Sequence, residues 1–537
     1  MKLIRKRNWC IGVLSLLTGS VFAGPIIDRG IEFNEVEMYR TAKEYLLKGI
    51  RVEGASAEAY YYLGDTYLML EQVDSAMYYF NESKAANPKY MLAMVGEGKV
   101  ALKNNNLAAA QEIFKQAIKD DKKNPTLYTA IAAAYVSYGL FDQAPAMYQK
   151  ARSVKKNYPN SFVVEGDMLA KQGKAGDACQ RYENAKYFNK ENKQAYLKEA
   201  RVYKNVNTTM ALEILDKLVA MDPDYVPAYI EYADIFYTTN FKRAIESYEK
   251  FVNEPGISAR DIERYATVLY FSKNYQESLD QIAVALKQNP ENFIMRRIQL
   301  YNHFDMGNTD VALDLANQFF SSKKENEEYI AQDYLIYGKL LDKNDQDSVA
   351  LIYLAKAIEL DPANFALYKD IASVYEDLNQ YKEAIEYHEK YMAALESPRT
   401  SDFYSLGRAY YQAGSQLGVL GDSIAKEGFL LKADEQFKLV AEQNPDSYLG
   451  FFWSARALAS LDPELKEGLA KSMYEETVAK LLAPENSARK SELTECYMYL
   501  GNYYYLNENK VMAKEYLGKV LELNPENEAL RKAVNEL

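Results

Sequence analysis

The chain is poor in the residues that lock a fold covalently or perform reactions. It has three cysteines, two histidines and two tryptophans among 537 residues. No His-Glu-x-x-His, Gly-x-Ser-x-Gly or paired Cys-x-x-Cys spacing occurs, which removes the common signatures of zinc hydrolases, serine hydrolases and dithiol redox sites. Gly96-Glu97-Gly98-Lys99 lacks the spacing of a phosphate-binding loop. Asp342, Asn344, Asp345 and Asp347 lack the further oxygen ligands and the fixed glycine of a calcium loop, so they read as a polar turn with a helix cap. No enzyme activity, metal or cofactor is expected.

Long apolar runs are absent as well. The best candidate, Cys10–Thr18, is too short to cross a bilayer. It follows the cations Lys2, Arg5, Lys6 and Arg7 and precedes Val21-Phe22-Ala23, so residues 1–23 read as a secretory signal peptide. An uncleaved interfacial anchor is the alternative. Cys10 lies at the start of the apolar run rather than its end, which argues against lipidation. The expected location is therefore exported and periplasmic, with no membrane insertion after cleavage. Of the remaining cysteines, Cys179 and Cys496 are 317 residues apart and read as packing residues, not as a disulfide.

Positive charge is the third shortage. The net charge of -12 falls to -16 once the four cations of residues 1–23 are removed. Phosphate backbones and anionic lipid surfaces repel such a chain, so nucleic acid is not an expected partner. The mean hydropathy of -0.39 and 26% charged residues suit a water-exposed globular protein.

What the chain has in quantity is tyrosine, 47 residues, and a spacing that repeats. Counting Ala57 as position 1, Tyr60, Leu63, Gly64, Tyr67, Ala76, Phe80, Ser83 and Pro88 occupy positions 4, 7, 8, 11, 20, 24, 27 and 32. Large and small residues alternate where two helices interlock. The phase continues through Gly98 and Ala110, Ala132 and Ala144, Gly166 and Ala178, Ala372 and Ala384, and on to Gly501 and Ala513. Gly139, Gly173, Gly307 and Gly414 fall at position 15, where a first helix ends in a left-handed residue. Asn87-Pro88, Asp222-Pro223, Asn289-Pro290 and Asp361-Pro362 mark the second stop.

This pattern resembles the tetratricopeptide repeat, a 34-residue pair of antiparallel helices, in its exported bacterial members. The resemblance implies an all-α, right-handed superhelical solenoid. Residues 24–56 are expected to form an N-terminal capping helix or half-repeat, 57–398 ten repeats, 399–525 three more, and 526–537 a C-terminal capping helix. Gly407 and Ala433 are 26 residues apart where the template has 12, so both helices there are expected to be lengthened. His303 and His388 take positions 11 and 24 and read as satisfied core histidines.

The family lines a concave groove with its first helices. Here the equivalent positions include Tyr61, Asp65, Tyr237, Tyr270, Arg297, Tyr301, Tyr404, Arg408, Tyr411, Phe452 and Arg456. Tyrosine and arginine dominate binding energy at protein interfaces. The family's carboxylate clamp is not reproduced, since Thr126, Thr129 and Ala133 follow Lys99 and Lys103. The reading is a non-enzymatic envelope scaffold that binds a protein or peptide, with Tyr404, Arg408, Tyr411, Phe452 and Arg456 as the main patch and Tyr237, Tyr270 and Tyr301 as further contacts. The alternative for the patch is that its rings pack on each other and close the end of the solenoid. The alternative function is glycan capture, which is similar to the exported starch-binding lipoproteins but lacks their cysteine.

Overall fold

The computed structural model describes residues 24–420, 422–483 and 489–537, so the expected signal peptide lies outside the described residues. Among them run 29 helices and no strand. They divide into two compact units, one ending at Asn302 and one beginning at His303.

The first unit opens with α1 (Pro25–Glu35) and α2 (Tyr39–Val52), then α3 (Ala57–Met69) and α4 (Val73–Ala86). It continues with α5 (Leu92–Lys103) and α6 (Leu107–Asp120), α7 (Pro125–Ser137) and α8 (Ala144–Val154), α9 (Pro159–Lys171) and α10 (Ala175–Phe188). Next come α11 (Lys193–Lys204) and α12 (Thr208–Met221), α13 (Val226–Phe236) and α14 (Phe241–Tyr248), α15 (Ala259–Phe271) and α16 (Tyr275–Gln288). Helix α17 (Phe293–Asp305) straddles the boundary.

The second unit holds α18 (Thr309–Ser321), α19 (Ala331–Asp342) and α20 (Asp347–Leu360), and α21 (Ala366–Asp377) and α22 (Tyr381–Ala394). Then follow α23 (Thr400–Leu420) and α24 (Ser423–Gln443), α25 (Leu449–Leu461) and α26 (Lys471–Leu481), α27 (Lys490–Leu506) and α28 (Lys510–Leu523), and α29 (Glu528–Glu536).

One local rule makes most of the pairs, α11/α12 and α13/α14 excepted. The turn between the two helices carries a left-handed residue, whether glycine (Gly139, Gly173, Gly307) or not (Glu71, Asn105, Lys273, Asn379, Glu508). An asparagine then caps the second helix in several pairs: Asn106 accepts from Ala109 N at 3.0 Å and Asn509 from Met512 N at 3.2 Å. Between the helices, Leu63, Ala76 and Phe80 are completely buried, as are Ala372 and Ala384. Helix α8 starts at Ala144 behind Gln143, with Pro145 in its first turn, where the missing N–H has no intrahelical acceptor to lose.

Gly414 corrects the punctuation. It lies inside α23, not at its end, and a Cβ there would approach Leu430 Cγ to 2.9 Å. Both α23 and α24 run to 21 residues, so the helix passes through the usual stopping point and the glycine serves close packing instead. His303 is also corrected. It is only half-buried, with its Nδ1 3.4 Å from Asn308 Nδ2, whereas His388 is buried against Glu376 at 2.7 Å.

The N-terminal segment departs most from expectation. Residues 24–56 form a complete antiparallel pair, α1 and α2, not one capping helix. The pair packs on the next repeat, where Asn34 donates to Thr66 at 2.9 Å. It packs equally on residues far along the chain. Phe33, Val36 and Ala42 share one core with Leu197 on α11 and Tyr232 on α13. Lys193 donates to Glu32 at 2.5 Å, Arg29 to the Asp224 carbonyl at 3.1 Å, and Tyr45 to Glu254 at 2.6 Å. Gly256, at φ +77°, lets the loop after α14 touch α2: a Cβ there would lie 2.6 Å from the Arg40 carbonyl carbon. The first unit is thereby closed on itself.

Candidate functional site

Closure creates a cavity of about 430 Å³ in the first unit. Its wall comes from α3, α5, α7, α9 and α11, the first helices of successive pairs, and its remaining side from the turn Asn34–Tyr39 between α1 and α2. Small and apolar residues such as Ala133, Val163 and Val164 leave the space open. Charged residues edge it in pairs. Lys99 donates to Asp65 at 2.6 Å, and Lys198 to Asp167 at 2.7 Å, with Tyr182 on the other Asp167 oxygen at 2.8 Å. Arg201 reaches Glu231 at 2.7 Å and the Val36 carbonyl at 3.2 Å. Burial works against the Lys99 ammonium, yet Asp65 holds its pKa above the ordinary value.

The turn between α1 and α2 brings Glu35 and Glu37 to the same cavity. Both remain open to water there. Protein nevertheless surrounds Glu35 closely enough that desolvation raises its carboxyl pKa, opposed by the Tyr62 hydroxyl at 3.4 Å and by Lys198. Among the described residues neither carboxylate has an ion-pair partner. Tyr39, Tyr61 and Tyr62 complete this corner.

Of the expected groove residues of this unit, Tyr61 and Asp65 do line the cavity, although Tyr61 is almost wholly buried. Tyr237, Tyr270 and Tyr301 do not. Tyr237 lies under the Arg264 guanidinium, 4.0 Å from its ring centre. Tyr270 is half-buried, with its ring 6.0 Å from that of Tyr301, which is itself buried.

In the second unit the five expected patch residues do come together, around a residue that was not among them. Trp453, on α25, is nearly buried. Its ring lies 5.5 Å from Tyr411, 6.2 Å from Tyr404, 6.3 Å from Phe452 and 5.8 Å from Phe437. The guanidinium groups of Arg408 and Arg456 cover it at 4.2 and 4.8 Å. This corrects the reading of Phe452, which is 3% exposed and belongs to the core. Arg456 is committed too, since it holds Glu495 through Nε at 2.7 Å.

Arg408 is different. It has no carboxylate partner among the described residues, and its Nε is buried without a hydrogen bond. A pocket of about 360 Å³ opens beside it, shared with Tyr404, Ser405 and Gln412 from the same helix and with Glu376 and Asp377 from α21. A second, of about 370 Å³, lies between Tyr404, Tyr448 and Arg456.

The first-unit cavity was invisible to the repeat template, because the residues that complete it precede the first unit in phase and their partners are far along the chain. A helical period in residues 25–35, with Ile27, Gly30, Phe33 and Asn34 on one face, was the only signal. Among the described residues no cluster of three metal-ligating side chains is present, and no helix is long and apolar enough to cross a membrane. Cys179 and Cys496 are buried free thiols, each pushed up in pKa first by that burial.

Comparison with known proteins agrees with this architecture. Tetratricopeptide repeat models match residues 28–90, 101–160, and 367–394 together with 494–527. The DnaJ homolog subfamily C member 3 of Gallus gallus is 23% identical over 402 residues, covering 65% of this chain and 76% of that protein. An uncharacterised protein of Guillardia theta, ycf37, is 32% identical over 68 residues, 13% of this chain and 38% of its own. The C-terminal part of a repeat protein from Cytophaga hutchinsonii is 29% identical with a TM-score of 0.41, covering 50% of this chain and 98% of that structure. The pairs of helices at residues 28–90, 101–160, 367–394 and 494–527 are therefore tetratricopeptide repeats.

Proposed function

We propose that the chain is a non-catalytic scaffold, exported to the cell envelope, that holds a protein or peptide partner. Its principal contact is on α23 and α25, with Arg408 and Tyr404 meeting the partner and Tyr411 and Arg456 framing them. Phe452 supports this surface from beneath. In the first unit Tyr237 and Tyr270 are secondary contacts, Tyr237 beneath Arg264 and Tyr270 beside buried Tyr301.

Arg408 carries this reading. A guanidinium held 4.2 Å from the centre of the Trp453 ring is already ordered, so little side-chain entropy is lost when it binds. Its buried Nε lacks an acceptor, and leaving such a donor unpaired costs about 1–3 kcal/mol. A partner carbonyl or carboxylate entering the adjoining pocket removes that cost.

Site-directed photocrosslinking from Gln412 of the full chain tests it. A crosslinked partner that is captured by the wild type and lost from Arg408→Gln supports the assignment. Equal capture by both overturns it.

A further inference from the structure

The cavity of the first unit has a charge pattern that the scaffold reading does not use. Three of its four lining cations are already matched: Lys99 with Asp65, Lys198 with Asp167, Arg201 with Glu231. An anionic ligand would compete with three short, partly buried pairs. Lys171 stands exposed at the rim. Among the described residues the carboxylates of Glu35 and Glu37 have no ion-pair partner, and they line the space together with Tyr39, Tyr61 and Tyr62. Tyrosine faces attract cations, and Lys99 already lies 5.9 Å from the centre of Tyr61.

We propose that this cavity binds an organic cation, the ammonium or guanidinium end of a basic side chain, with Glu35 and Glu37 as its counter-charges and Tyr39, Tyr61 and Tyr62 as its walls. The volume of about 430 Å³ accommodates a lysine or arginine side chain with part of its backbone. The chain's net charge of -12 favours the approach of a basic segment over an acidic one. The site lies wholly in the first unit, so it stands or falls separately from the Arg408 surface.

Binding carries a pH signature. The groups acting on Glu35 are Tyr62 and Glu58 from α3, Lys198 from α11 and Glu32 from its own helix, while Asp65, Asp167, Arg201 and Glu37 line the same cavity. A bound cation favours the ionised carboxylate, so association releases a proton wherever Glu35 is partly protonated beforehand. Affinity then rises with pH through that range.

Isothermal titration of the full chain with blocked pentapeptides bearing a central lysine, arginine, norleucine or glutamate tests the proposal, with butylamine as a free cation. The lysine or arginine peptide is expected to bind at least tenfold more tightly than the norleucine peptide. Glu35→Gln combined with Glu37→Gln is expected to abolish that preference and the pH slope, without lowering the melting temperature. Butylamine binding as tightly as the peptides identifies a free small cation as the ligand; weaker binding identifies a partner's side chain. Equal binding of norleucine, preference for glutamate, or unchanged binding by the double variant overturns the proposal.

Discussion

Arg201 donates from Nη1 to the main-chain oxygen of Val36 at 3.2 Å, joining residues 165 positions apart. The same guanidinium holds Glu231 through Nε, so α1, α11 and α13 meet at one side chain. Arg201→Ala is expected to cost about 1.5–3 kcal/mol, the range for hydrogen bonds to charged groups. Hydrogen exchange of the α1 and α2 amides should accelerate before that of α5 and α6.

Phe33→Ala tests closure through packing. Phe33 is completely buried and shares its core with Leu197 and Tyr232. The expected loss is about 3–5 kcal/mol. Amides of α11 and α13 should lose protection together with those of α1. Loss confined to α1–α4 would show that the pair merely caps the first repeat.

Within the regular pairs, damage should stay local. Leu63→Ala removes a fully buried side chain and is expected to cost about 2–5 kcal/mol. Ala372→Leu overfills a helix contact in the second unit and is expected to cost about 1–3 kcal/mol. Exchange should rise around the substituted pair first, because repeats are stabilised chiefly by their neighbours. Uniform loss along the chain would contradict that coupling.

Glu35 gives a pH dependence with a definite sign. Its folded pKa lies above the ordinary 4.5, so the native state binds the proton more tightly than the unfolded chain. The contribution to stability is complete below about pH 4.5 and is lost as pH rises through the folded value. Glu35→Gln is therefore expected to raise the melting temperature at neutral pH. The advantage should shrink toward pH 4.5, and thermal denaturation across that range measures it.

The two arginines on Trp453 should separate. Arg456→Ala removes a partner of Glu495 and exposes ring surface, so the melting temperature should fall, by about 1.5–3 kcal/mol in stability. Arg408→Gln breaks no ion pair among the described residues and removes a buried unpaired Nε along with the contact to Trp453, so it should cost less stability than Arg456→Ala. A large loss from Arg408→Gln would make that residue structural.

How far the sequence reveals these features depends on the range of the interactions. Gly139, Gly173 and Gly307 announce their turns because a left-handed residue is a local requirement. Ala372 and Ala384 announce a helix contact because their spacing is fixed within one repeat. Gly414 misleads for the same reason: the template expects a stop, but α23 runs through it. The patch of Tyr404, Arg408, Tyr411, Phe452 and Arg456 could be assembled from periodicity, but periodicity does not tell a groove face from one covered by Trp453. The contacts of Glu32, Val36 and Tyr45 with residues 193–254 have no local signature at all.

The docking of α1 and α2 also has a consequence in time. The N-terminal pair is made first, yet Val36 must wait 165 residues for Arg201 to be synthesised. At roughly 5–20 residues per second, that delay is on the order of 10 to 30 s. Throughout it, Phe33, Val36 and Ala42 lack the α11 and α13 side of their core. The pair is thus a natural client for whatever holds nascent chains, and a fragment ending before Lys193 would be released with this apolar face bare.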